Sequence, residues 1–275
     1  MKTKLEELFV RTRAENRAAL IAYLPAGFPS QSLCESAISI LADAGIDAIE
    51  IGFPYSDPVM DGPTIQRAAE MALKGGTGAK EVFTSVKYAH EANLPTVVMT
   101  YWNPIERYGV DAFAQELAKN GGSGVITPDL TIEESDGWIN ATRNSDVNSI
   151  FVVAPSTTNE RLQKVTQKCS GFVYAASLMG VTGARASVSS GAQDLVARIR
   201  KLSDLPVAVG LGVSTRAQAR EVAKFADGVI VGSAFIKVLL DASTAEEGRD
   251  NLTGLARDLV AGVREADRTG VSTLK

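Results

Sequence analysis

Eight short runs rich in β-branched and other apolar residues recur along the chain, and most are separated by segments with helical spacing. They read AALIAYL (18–24), DAIEIGF (47–53), PTVVMTY (95–101), SGVITPD (123–129), SIFVVAP (149–155), GFVYAAS (171–177), PVAVGLG (206–212) and GVIVGSA (228–234). Intervening segments such as SLCESAISILADAG (32–45) and TNERLQKVTQKCSG (158–171) carry Ser or Thr at their start and Gly just past their end. A strand followed by a helix, repeated, implies parallel strands. Eight such units in 275 residues favour a closed (β/α)8 TIM barrel over an open doubly wound sheet. The expected organisation is one barrel domain over residues 1–275, with extra helices at about 2–12 and 244–267.

The rival fold has weak support. GLGVST (210–215) lacks the third glycine of a dinucleotide fingerprint and follows the seventh strand rather than the first. GGTGAK (75–80) lacks phosphate-loop spacing and follows a helix.

Composition excludes several functional classes. Hydrophobic residues make up 45% and charged residues 22%, enough for a sizeable core. The net charge of -4 and scattered Lys and Arg leave no basic footprint for nucleic acid. The charged N-terminal stretch and the lack of any apolar run near membrane-spanning length point to a cytoplasmic protein with no membrane association. Cys34 and Cys169 form neither a CxxC pair nor a Cys/His cluster, and are read as ordinary packed thiols.

Glu50 breaks the pattern. Strand neighbours alternate faces, so if Ile49, Ile51 and Phe53 face the helices, then Ala48, Glu50 and Gly52 face the barrel interior. A buried carboxylate without a cationic partner costs several kcal/mol or stays neutral. None of the eight runs contains a Lys or Arg. Barrel active sites lie at the C-terminal ends of strands, where Glu50 sits and where the loop with Asp57 and Asp61 begins. Across the barrel, the loops after strands six, seven and eight present Gly183, Gly212, Gly232 and Ser233, small residues suited to holding a phosphate with backbone N–H groups.

Elimination narrows the chemistry. An imine-forming aldolase needs an inward lysine, and a zinc aldolase needs clustered ligands. The single histidine, His90, falls near the end of the helix before strand three and is read as structural. What remains is carboxylate acid/base chemistry on a small phosphorylated substrate, for which burial tunes a glutamate toward neutral pKa.

The stretch EIGFPYSDPVMDGPTIQ (50–66) resembles the tryptophan synthase alpha chain family, as do TYWNPIERYG, TPDLTIEES, VYAASLMGVTGAR, VGLGVST and VGSAFI, in order over nearly the whole chain. The resemblance implies retro-aldol cleavage of indole-3-glycerol phosphate to indole and glyceraldehyde 3-phosphate, with no cofactor of the chain's own. Glu50 and Asp61 match the catalytic carboxylates, and Gly183, Gly212, Gly232 and Ser233 match phosphate-binding positions. Tyr174 matches a site tyrosine, and Thr182 a lid threonine that engages the loop aspartate. Tyr23, Met99, Tyr101 and Val152 are candidates for the indole pocket by alternation and by match. Asp57 fits a subunit contact or an ordering role in its loop. Residues 178–191 read as a lid. Tyr55, Leu178 and Leu211 depart from residues common in the family.

The implied partner is a pyridoxal-phosphate beta subunit in an alpha2-beta2 heterotetramer. Two alternatives stand beside that reading, a free-standing lyase and a non-catalytic activator of the beta subunit; the complete carboxylate and glycine set argues against the second. An isomerase barrel is disfavoured because YLPAGFP (23–29) offers no titratable group except tyrosine.

Overall fold

The computed structural model describes residues 2–176, 185–210 and 212–268. Its strands are β1 (Ala19–Pro25), β2 (Ala48–Gly52), β3 (Thr96–Met99), β4 (Gly124–Ile126), β5 (Asn148–Ile150), β6 (Val152–Val153), β7 (Val173–Ala176), β8 (Val207–Gly210) and β9 (Gly228–Val231). The helices are α1 (Lys4–Ala14), α2 (Gln31–Ala44), α3 (Pro63–Lys74), α4 (Ala79–Glu91), α5 (Trp102–Tyr108) and α6 (Val110–Lys119), followed by α7 (Asp136–Asn144), α8 (Asn159–Lys168), α9 (Arg185–Arg200), α10 (Arg216–Ala223), α11 (Ser233–Leu240) and α12 (Ala245–Arg264).

All strand pairings are parallel, in the order β5-β4-β3-β2-β1-β9-β8-β7-β6. β5 and β6 are halves of the single run SIFVVAP, separated only by Phe151. One half pairs with β4 and the other with β7, and the Phe151 carbonyl accepts from Tyr174 N–H at 3.1 Å. The same run therefore joins both ends of the sheet, and eight predicted strands close as a TIM barrel.

Alternation divides the core in two. Ile49, Ile51, Val98, Val125, Val173, Val209 and Val229 face outward into the layer shared with the helices. Ala19, Ile21, Ala48, Val97, Ile126, Ile150, Phe172, Ala208 and Ile230 face inward. Leu5, Leu8 and Phe9 of α1 join the inward cluster and plug the N-terminal end of the barrel, with the Phe9 ring 5.6 Å from that of Phe172. The N-terminal extra helix thus closes the barrel floor. At the other end of the chain, α12 packs against α2, α10 and α11.

Local signals set the helix ends, with one shift from expectation. The N-cap of α2 is Ser30, whose hydroxyl accepts from Leu33 N–H, and Gly45 closes the helix at φ 90°, a left-handed conformation that glycine adopts without strain. Thr158 caps α8 in the same way. Residues 185–191, expected in a lid, open α9.

The floor also shows how this fold satisfies partly or fully buried acids. Asp47 accepts from Leu20 N–H at 2.9 Å and pairs with Arg17 at 2.8 Å. Asp227 accepts from Val207 N–H at 3.0 Å and is ringed by Arg13, Arg200 and Arg268 at 3.3–3.4 Å. Each carboxylate ties adjacent strands together and has a guanidinium to balance it.

Truncating the plug should be costly and remote from the site. Phe9→Ala removes a fully buried ring, and the expected loss is about 3–5 kcal/mol of unfolding free energy in urea denaturation. A loss under 1 kcal/mol would show that α1 is dispensable to the barrel.

Candidate functional site

At the opposite end, the C-terminal mouth opens into a cavity of about 740 Å³. Its walls join two chemically distinct ends.

The first end is acidic. Glu50 lies mid-strand on β2, between Tyr23 of β1 and Val97 of β3 in register. It faces inward as the alternation predicts and is 1% exposed. Its Oε2 has no hydrogen-bond partner among the described residues. Burial, and secondarily the charge of Asp61, pushes its pKa up to about 8. Asp61, from the loop between β2 and α3, lines the same cavity, and burial raises its pKa to about 6. The contrast with half-buried Asp47 and buried Asp227 is physical: those acids are paired with arginines, whereas Glu50 is buried beside another acid.

The second end is built from small residues. Gly232 is the N-cap of α11 and Ser233 its first residue, so the start of that helix faces the cavity with its free N–H groups. Gly212 lines the same end with φ 66°, left-handed backbone that a residue bearing a Cβ rarely adopts. Among the described residues no basic side chain lines this end, and its backbone N–H groups can hold an anionic group.

Between the two ends the walls are largely apolar. Tyr23, Met99, Val152 and Tyr174 all line the cavity. Tyr23 is buried and Tyr174 half-buried, and desolvation pushes their phenol pKa values well up and keeps them neutral. Glycines seat their rings: a Cβ on Gly52 would lie 2.3 Å from the Tyr23 hydroxyl, and one on Gly210 would lie 2.6 Å from that of Tyr174.

Of the other expected site residues, Tyr101 is buried but does not line the cavity; its hydroxyl accepts from Met60 N–H at 3.1 Å. Asp57 is exposed on the loop and accepts from the Ser56 hydroxyl at 2.5 Å. Thr182 and Gly183 lie outside the described residues, as do Leu178 and Leu211. His90 is in the last turn of α4, its Nδ1 3.4 Å from Lys4 Nζ, away from the cavity.

Several lining residues escaped the sequence reading. Ile230 and Gly210 were legible, because each sits two positions before a glycine already read as facing the mouth. Met60, Ile65, Ser156 and Thr157 come from loops and a helix start, where no strand periodicity reports orientation. Among the described residues, no group of three or more His, Cys, Asp or Glu could hold a metal ion, and no helix is long and apolar enough to cross a membrane.

The family model of the tryptophan synthase alpha chain matches residues 9–264. The chain is 54% identical over 264 residues to the tryptophan synthase alpha chain of Streptomyces avermitilis, covering 96% of this chain and 95% of that one. Against the Thermobifida fusca protein of the same name the identity is 51%, over 97% and 100% of the two chains. A crystal structure of tryptophan synthase from M. tuberculosis superposes with a TM-score of 0.88 at 48% identity, covering 96% of this chain and 100% of that one. The alpha subunit from Legionella pneumophila str. Paris gives a TM-score of 0.87 at 32% identity, over 96% and 99%. With family match, fold and cavity in agreement, the chain belongs to the tryptophan synthase alpha chain family, the lyases that cleave indole-3-glycerol phosphate in tryptophan biosynthesis.

Proposed function

We propose that Glu50 is the acid and base of the cleavage and Asp61 its electrostatic partner. The observation that supports this most is a glutamate buried with no cationic partner among the described residues, opening onto a cavity it shares with a second acid. Near pH 7 Glu50 is protonated, since its pKa is about 8, while Asp61 at about 6 is largely ionised. The substrate phosphate lies against the N–H groups at Gly212, Gly232 and Ser233, with Gly183 as a further contact. The indole ring sits among Tyr23, Met99, Val152 and Tyr174.

Glu50 donates its proton to indole C3, which makes the ring an electron sink with positive charge on its nitrogen. Asp61 opposes that charge in a site where little water screens it. The Glu50 carboxylate then takes the proton of the side-chain hydroxyl as the C3 to side-chain carbon bond breaks. Its electrons return to the ring, indole and glyceraldehyde 3-phosphate form, and Glu50 ends protonated. Thr182 would complete the closed site by engaging Asp61.

The reading takes residues 1–275 as one barrel domain and a pyridoxal-phosphate beta subunit as partner in an alpha2-beta2 heterotetramer. Support for a docking face beside the cavity is the apolar exposure of Val59 (77%) and Met60 (40%), next to exposed Asp57. A cytoplasmic location is supported by two free cysteines, Cys34 and Cys169, both buried.

Glu50→Gln should cut kcat for indole release by about 10²- to 10⁴-fold, with KM changed little, whether assayed alone or with a beta subunit. Retained turnover would remove Glu50 from the chemistry.

The pH profile should be bell-shaped. Activity needs Asp61 ionised and Glu50 protonated, so the rising limb falls near pH 6 and the falling limb near 8. Because the Asp61 charge helps raise the Glu50 pKa, Asp61→Asn should move the falling limb of its residual activity to lower pH.

Stability carries the same mark. Folding raises the Glu50 pKa from the ordinary 4.5 to about 8, so between those values the folded chain holds a proton that the unfolded chain has lost. Unfolding free energy therefore declines as pH rises through that window. Glu50→Gln should lack this decline and gain on wild type from pH 5 to 8.5 in parallel urea titrations; equal slopes would mean Glu50 is solvated in the folded state.

A further inference from the structure

Alternation along β3 places Tyr101 in the cavity wall, yet its side chain lies under the loop that carries Asp61. Its ring stacks on Tyr55 at a centroid distance of 5.1 Å, and its hydroxyl accepts from Met60 N–H at 3.1 Å. These two contacts grip the loop at its start and immediately before Asp61.

The two sides of the grip differ in rigidity. Tyr101 is 5% exposed and caps α5; its carbonyl accepts from the Thr100 hydroxyl at 3.1 Å. The next amide, Trp102 N–H, donates to both carboxylate oxygens of Asp129 at 2.9 and 3.1 Å. On the loop side, Ser56, Asp57, Val59 and Met60 are exposed, and Pro58 has no N–H to donate. Beyond Asp61, Gln66 Nε2 donates to the Asp61 carbonyl at 2.8 Å. Asp61 is thus tied through its backbone on each side, by Tyr101 before it and Gln66 after it.

We propose that Tyr101 is a positioning residue, whose hydroxyl holds the Met60 amide and thereby keeps the Asp61 carboxylate in the cavity wall facing Glu50. The proposal rests on the reading of Asp61 as the electrostatic partner and assigns Tyr101 to the loop rather than to the indole. If the bond is lost, the loop relaxes outward and Asp61 gains solvent. Since burial is what raises the Asp61 pKa, hydration returns it toward the ordinary carboxylate range. The titratable groups coupled to Asp61 from the surrounding elements are Glu50 on β2, Tyr23 on β1, Tyr174 on β7 and Tyr101 itself.

Tyr101→Phe keeps the ring and its stack but removes the acceptor. Indole release by the full chain with its beta subunit should show kcat lowered about 3- to 10-fold, the size of one net hydrogen bond. KM should stay within about two-fold, as expected of a group acting on the transition state alone. The rising limb of the pH profile should move to lower pH than in wild type, with the thermal unfolding midpoint close to that of wild type. An unchanged kcat overturns the proposal, as does a raised KM at constant kcat, which would make Tyr101 a substrate contact. A lowered kcat with the rising limb in place also overturns it, since simple packing would do that. Asp61→Asn, measured in parallel, separates the two layers of argument. If its rising limb persists, the assignment of Asp61 fails and the role of Tyr101 falls with it; if the limb disappears while Tyr101→Phe behaves as wild type, only the role of Tyr101 fails.

Discussion

An uncompensated carboxylate inside the barrel is the constraint around which the mouth is organised. Transferring a charged glutamate from water into this wall costs several kcal/mol, and among the described residues no guanidinium offsets it as at Asp47 and Asp227. The chain meets the cost by keeping Glu50 protonated up to about pH 8, which makes it an acid ready to donate at neutral pH. Pairing Glu50 with an arginine would hold it ionised and abolish the property the reaction needs.

The two ends of the barrel divide stability from chemistry. The floor holds α1, its aromatic contact with Phe172 and the arginine-ringed Asp227, all contacts that tie strands together. The mouth holds glycines, the free N–H groups of a helix start and an exposed loop. A cavity at that end sacrifices packing, and the plugged floor offsets the loss from the far side of the same strands.

Much of this was legible in the sequence because strands report orientation every second residue. The eight runs, the inward set Ala48, Glu50 and Gly52, and the outward set Ile49 and Ile51 follow from period-two alternation alone. What alternation does not encode is where a chain goes after its strand ends. Tyr101 lies two residues past Met99, beyond the last paired residue of β3, so the extrapolated face no longer applied. Met60 and Ile65 enter the cavity by the path of a loop with two prolines and a glycine, and no short-range pattern specifies that path. The split of one run into β5 and β6 was equally hidden, because it arises from closing the sheet and not from the residues themselves.

The glycines illustrate how one residue type serves two demands. Read from the sequence, Gly232 lets backbone approach a phosphate. In the fold it also clears room for an aromatic ring, since a Cβ there would come within 3.1 Å of the Tyr23 ring. Gly52 and Gly210 have only the second task, each lying under a tyrosine hydroxyl. Any side chain at these positions would push a ring into the cavity and narrow it beside Glu50. The shape of the apolar wall beside the acid is therefore set by residues that contribute no apolar surface, because the aromatics there are seated back against bare backbone.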